Sequence, residues 1–345
     1  MKLNKLIFAA VGFAAVWTGL QLSKDVDTFV DYAKGTTDNT VVSAPYHLDV
    51  PLLASTHKER LEEKRTLMLE KIKQEAEKHY IAPVNAKLDP VWKAVPGYNG
   101  LEVDLEKTLE LAEEQQFPEK PQLVYREVPP AVGLDQLGPH PIYKGNPQKP
   151  MVGLMINVAW GDEYLEGMLE TLRSEKIKAT FFFDGMWLSK NIDKAKAIME
   201  EGHEVSNHAY SHKDMSKLSR SQAVQEIMKT ENLLTKQVGA SNRLFAPPSG
   251  DFDQETVNIA HELKLRTILW TFDTIDWRKP DPSTIVRRLR GSLEPGTLIL
   301  MHPTDSSRSA LPEMIKIIRA KGLHFGTVSQ VISPDRVPAV ESAPQ

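Results

Sequence analysis

The chain has 345 residues, 41% of them apolar and 26% charged, with a formal net charge of -4. That length suits a large domain with a smaller companion, and the charge supplies no bulk attraction for nucleic acid. There is no cysteine, so disulfides and thiolate-ligated zinc are excluded.

At the N-terminus, Lys2 and Lys5 precede an apolar run from Leu6 to Leu22. A basic start followed by an apolar stretch predicts export, with residues 1–23 serving as a cleaved signal peptide or a retained membrane anchor. Residues 24–54 read as a polar spacer. From Ser55 to Tyr80 a charged helix is predicted, with Leu61, Leu67, Met68, Ile72 and Ala76 near one face. Short apolar pieces punctuated by Pro, Gly and Asn follow, then a helix from about Asp104. Together residues 55–128 form a small α+β domain without evident chemistry. Trp92 and Tyr98 could stack on sugar, but core packing is the simpler reading. Residues 129–150 are a proline-rich linker that can continue neither a helix nor an inner strand.

The rhythm changes after Pro150. Strands at "MVGLMINVA", "KATFFF", "HEVSNH", "NRLFAPP", "RTILWTFD" and "GTLILMH" alternate with helices near 164–175, 193–201, from Ser219, 254–263, 282–290 and 311–320. Ser219 and Gln222 make a capping box, and Gly239 is the stop. "HFGTVSQVI" reads as the closing strand, and residues 335–345 as a flexible tail. Near-continuous apolar strands between helices imply a parallel sheet covered on both faces. Six or seven such units predict an α/β fold, a distorted (β/α)7-type barrel spanning residues 151–334. Chemistry in such barrels gathers at the C-terminal strand ends.

Those ends carry Ala159, Trp160 and Asp162, then Asp184, His208 and His212, Pro248 and Ser249, Asp273, Asp276, Trp277 and His302. The HxxxH pair can place two imidazoles on one metal ion, but a hydrolytic zinc normally takes three protein ligands and an open position. The pair alone is a partial site. His203, His261 and His324 read as surface or packing residues.

In this setting residues 151 to about 332 resemble the polysaccharide deacetylase domain, also called NodB homology or carbohydrate esterase family four. Within it the likeness is to sporulation-associated deacetylase-like proteins of endospore-forming bacteria. The family pattern T-F-D-D-G falls on Asn157-Val158-Ala159-Trp160-Gly161, and H-(S/T)-x-x-H on His208–His212. R-P-P-Y-G falls on Ala246-Pro247-Pro248-Ser249-Gly250, D-x-x-D-W on Asp273–Trp277, and L-x-H on Leu300-Met301-His302. The resemblance implies metal-assisted amide hydrolysis, with zinc, cobalt or nickel held by one Asp and two His. It makes His208 and His212 metal ligands, His302 the acid that protonates the leaving amine, and Asp276 its partner. Trp277, Leu300, Pro248 and Trp160 would line the substrate pocket.

Three positions depart from that pattern. Ala159 replaces the general base, Trp160 the metal-binding Asp, and Ala246 the Arg paired with the base. An Arg without its carboxylate would be a costly semi-buried charge, so the two are easier to lose together. These departures predict impaired or lost catalysis and threaten the metal itself, so that a divalent ion, zinc or else cobalt or nickel, is bound weakly if at all. The alternative is an active N-deacetylase whose ligand set is rearranged around Asp162 or Asp184. The expected partner is cell-wall glycan of the peptidoglycan or chitin type, with membrane contact only through the N-terminal segment. A third reading is an inert scaffold at the spore envelope or membrane.

Overall fold

The computed structural model describes residues 50–337, with side chains from residue 58. The predicted signal or anchor, most of the spacer and the end of the tail lie outside the described residues. Two compact units divide at Leu61/Glu62. Of the first, the described part is the start of helix α1 (Val50–Lys78). All that follows concerns the second.

In α1, Glu70–Lys73 and Glu75–Lys78 pair across one turn. Met68 and Ile72 bury against Val103, Leu109 and Ala112. Leu61 and Leu67, expected on the same stripe, are exposed. Next come the antiparallel pair β1 (Lys87–Asp89) and β2 (Lys93–Val95), then strand β3 (Gly100–Val103). Helix α2 (Leu105–Glu114) starts at Asp104, whose carboxylate accepts from the Lys107 amide. Strand β4 (Tyr125–Val128) pairs antiparallel with β3. Tyr98 is buried, consistent with packing rather than sugar binding.

The main sheet has eight parallel strands. They are β5 (Met151–Val158), β6 (Thr180–Phe183), β7 (Glu204–Asn207), β8 (Leu244–Phe245), β9 (Arg266–Thr267), β10 (Phe272–Asp273), β11 (Leu298–Met301) and β12 (His324–Gly326). Their order is β10-β11-β5-β6-β7-β8-β9, with β12 also on β5. β5 therefore lies mid-sheet, its Leu154 beside Ile299 and its Ile156 beside Phe181. Both faces are covered: Val152–Val158 and Phe181–Phe183 are buried throughout, as a parallel sheet under helices requires.

The helices are α3 (Asp162–Ser174), α4 (Gly185–Leu188), α5 (Ile192–Glu200), α6 (Arg220–Leu233), α7 (Gln254–Glu262), α8 (Pro282–Ser292), α9 (Asp305–Ala320) and α10 (Val328–Ile332). Gln222 accepts from the Ser219 amide at the head of α6, and Gly239 ends the following turn in the left-handed region. Two boundaries differ from expectation. Helix α9 begins six residues before Leu311, capped by Thr304, and carries Pro312 inside it. "HFGTVSQVI" is only half strand: Thr327 and Gln330 cap one another, and the chain turns into α10.

The end strands β9 and β10 do not pair, so the barrel is open between them. "RTILWTFD" is accordingly two short strands, with residues 268–271 crossing the seam. The proline-rich segment runs along it. Ile142 donates to the Thr267 carbonyl and accepts from the Leu269 amide, while Gly145 donates to Gly296 beside the start of β11.

Candidate active site

Where β5 ends, the chain makes its turn on Gly161, at φ +87°. A Cβ there would run into the carbonyl oxygen of Pro303, so only glycine fits. The contact clamps the 159–161 turn to the 302–303 turn after β11. Trp160 thereby stacks on His302, with ring centroids 5.9 Å apart and planes 8° from parallel.

His302 is fixed from behind. Its Nδ1–H donates to Asp276 Oδ1 at 2.8 Å, and its backbone N–H to Oδ2 at 2.6 Å. The Ser307 hydroxyl also donates to Asp276 Oδ2. Burial acts to raise the Asp276 pKa and is the largest single influence. The hydrogen bonds and charge of His302, with Ser307, outweigh it and hold the carboxyl below its usual range. The dyad the resemblance implied is thus assembled, its imidazole facing a cleft of about 890 Å³, counting its open mouth.

On the other side, β7 delivers His208 into the interior. Its Nδ1 lies 2.7 Å from the Ala246 carbonyl, so Nδ1 carries the hydrogen and Nε2 keeps its lone pair. That lone pair faces the Asn157 amide nitrogen at 3.4 Å, which leaves Asn157 Oδ1 buried without a partner. Burial, helped by nearby His212, lowers the His208 pKa to about 3, so the ring is neutral. His212 lies edge-on to His208 with centroids 5.2 Å apart. The loop between them hangs on buried Glu226, which accepts from the Tyr210 and Ser211 amides and the Ser211 hydroxyl.

Neither substitute carboxylate joins the histidines. Asp162 accepts from Trp187 Nε1 at 2.5 Å and from Lys194 at 2.8 Å. Burial acts to raise its pKa, but these two partners hold it low. Asp184 caps α4 through the Trp187 amide, and burial raises its pKa. It does share a second cleft, of about 780 Å³, with His212. Among the described residues, no three His, Asp or Glu side chains gather as a metal would need.

Trp277 and Leu300 line the larger cleft with Trp160. Pro248 is buried and Ser249, in the left-handed region at φ 57°, takes the lining position instead. Trp270 is a lining residue that the sequence reading missed, because it had been placed inside a continuous strand. Ala246 is fully buried among Met155, Phe182 and Ile268.

A protein-family model described as polysaccharide deacetylase matches residues 144–268. YlxY of Bacillus subtilis (strain 168) is 44% identical over 271 residues, covering 78% of this chain and 85% of that protein. The chain belongs to the polysaccharide deacetylase family. A peptidoglycan-N-acetylglucosamine deacetylase of Bacillus cereus is 30% identical over 50% of the chain and 65% of its own length. Among solved structures, a carbohydrate esterase family 4 pseudoenzyme from Bacillus anthracis superposes with a TM-score of 0.71 at 42% identity. That match covers 78% of this chain and 96% of the other. A mutant of the pseudoenzyme described as having restored enzymatic activity matches with a TM-score of 0.70.

As a polysaccharide deacetylase fold, the chain would be expected to hold a divalent metal. Its residues do not fit one. Two imidazoles are present, one with its lone pair facing an amide N–H, and the position that the resemblance gives to a third ligand is an indole. A carboxylate-free pair of this kind lacks the ligand number of a hydrolytic centre.

Proposed function

We propose that this protein is a cell-wall glycan-recognising member of the polysaccharide deacetylase family in which metal-assisted N-deacetylation is lost or severely impaired. One observation carries the reading: among the described residues no third His, Asp or Glu joins His208 and His212, and the indole of Trp160 stacks on His302 in the cleft that His212 also lines. Without the metal, nothing here polarises an acetamide carbonyl. Without an acid at position 159, no carboxylate takes the proton of an attacking water, a step worth about 10²–10⁴ in rate. His302 keeps a held proton on Nδ1 and an available Nε2, but has no tetrahedral intermediate to serve.

The peptidoglycan deacetylases among the relatives support cell-wall glycan as the ligand. Export through the apolar N-terminal segment, as signal or anchor, and a role at the spore envelope belong to the same proposal. Among the described residues no helix is long and apolar enough to cross a membrane.

The test is acetate release from N-acetylglucosamine oligomers by the full chain with zinc, cobalt or nickel, alongside ions bound per chain. Negligible turnover and no ion at micromolar metal are expected. Near one ion per chain with turnover abolished by His302→Ala would overturn the reading. The rearranged hydrolase would then stand, and Asp184, which shares a cleft with His212, would be the first ligand to replace.

A further inference from the structure

The main sheet and its helices expose few large apolar side chains, and those few are grouped. Of nine such residues among those described, six lie between Leu61 and Val91. The other three are Trp160, Met186 and Trp277, exposed by 46%, 47% and 50%. All three line the clefts at the strand mouths, Met186 in one, Trp277 in the other and Trp160 in both. His212 also lines both, and Trp160 is the exposed apolar part of the ridge they share.

The ridge is rigid. Gly161 packs so closely on the Pro303 carbonyl that no Cβ would fit between them. The indole rests on His302, and His302 is pinned by two hydrogen bonds to a buried carboxylate. A half-exposed tryptophan held this firmly loses little entropy on binding, which is what a stacking anchor needs. Both flanking clefts mix apolar surface with hydrogen-bonding groups. Asp273 and Ser249 accompany Trp277 on one side, while Lys190 and Asn191 accompany Met186 on the other. A pyranose ring matches that mixture, with an apolar C–H face for the indole and hydroxyls around its edge.

We propose that Trp160 is the central stacking platform of a glycan groove, so that the residue standing in a metal ligand's place serves recognition instead. The ligand is a linear N-acetylated glycan of at least three sugars, one ring on Trp160 and a neighbour in each cleft. This rests on the glycan-binding reading above and adds to it the platform and the minimum length.

The experiment is calorimetric titration of the full chain with N-acetylglucosamine, its dimer and its tetramer, against wild type, Trp160→Ala and Trp160→Phe. Wild type should bind the tetramer far better than the monomer. Trp160→Ala should weaken tetramer binding by about tenfold or more, as loss of a buried aromatic anchor does, and Trp160→Phe should retain most of it. Tetramer binding that Trp160→Ala leaves unchanged would remove the platform while leaving glycan binding in place. A monomer that binds as well as the tetramer would remove the ridge-crossing geometry. No binding of any oligomer by wild type would remove the glycan-binding reading itself, and the platform with it.

Discussion

The two sides of the strand mouth have had different fates. On the β10–β11 side, Asp276 and His302 remain in working geometry. On the β5–β7–β8 side, the positions that the resemblance gives to a base, a metal ligand and an arginine hold Ala159, Trp160 and Ala246. The difference follows what each group does for the backbone. Asp276 is fully buried and accepts from the His302 amide, the His302 ring and Ser307, stitching the loop after β10 to the turn before α9. Deleting it would orphan three donors. On the emptied side the 159–161 turn is held by glycine against a carbonyl, while the Ala246 amide donates to the Asn207 carbonyl and its own carbonyl accepts from the His208 ring. Side chains there hold little of the structure. Survival of the dyad therefore says more about folding than about catalysis.

The largest expected effect tests that claim directly. Asp276→Ala should destabilise the protein by about 3–5 kcal/mol in urea titration, the cost of several unsatisfied buried groups. A loss under about 1 kcal/mol would mean the dyad is retained for some other reason. Ala246→Arg comes next, since it puts an unpaired charge into an apolar cluster. Alone it should cost about 3 kcal/mol, and adding Ala159→Asp should recover part of that. If the single variant is neutral, the pocket has more room and water than its packing indicates.

A pH titration separates two histidines. Burial, with a smaller contribution from Lys178, lowers the His203 pKa from 6.5 to about 4, and burial lowers His208 to about 3. Both folded values are depressed, so below 6.5 the unfolded chain binds more protons. Stability should be level above that pH and fall as pH drops, with His203 and His208 both contributing to about 4 and His208 alone below it. His203→Gln should reduce the slope only in the upper window, as read by urea midpoints at successive pH values. The smallest change expected in stability is from Asn157→Thr, under about 1 kcal/mol, because the amide contact at 3.4 Å is weak. Its effect should show elsewhere. In a protein carrying Ala159→Asp, Trp160→Asp and Ala246→Arg, freeing His208 Nε2 should tighten zinc binding beyond what those three achieve.

Much of this was legible in one dimension. Strand–helix alternation, the Ser219–Gln222 cap and the HxxxH spacing are local signals, and the three altered positions stand out once the motif order is recognised. What escaped depends on partners far away in the chain. Asp162 looked free because Trp187 and Lys194 lie 25 and 32 residues on. The Asn157 amide meets a histidine 51 residues later. Sequence left His203 open between surface and packing; it is buried in the core, where its Nδ1 accepts from the Ala179 amide. The break in "RTILWTFD" reflects an open seam, which no window of eight residues encodes.

The central position of β5 has a consequence for synthesis. One of its edges pairs with β6 soon after it is made, but the other waits for β11, whose first residue is Leu298. That is about 140 residues, or roughly 7–30 s at ribosomal speed. Through that interval an apolar strand presents an unpaired edge, the template on which chains aggregate. The nascent protein therefore needs chaperoning most while its middle is already made and β11 is not.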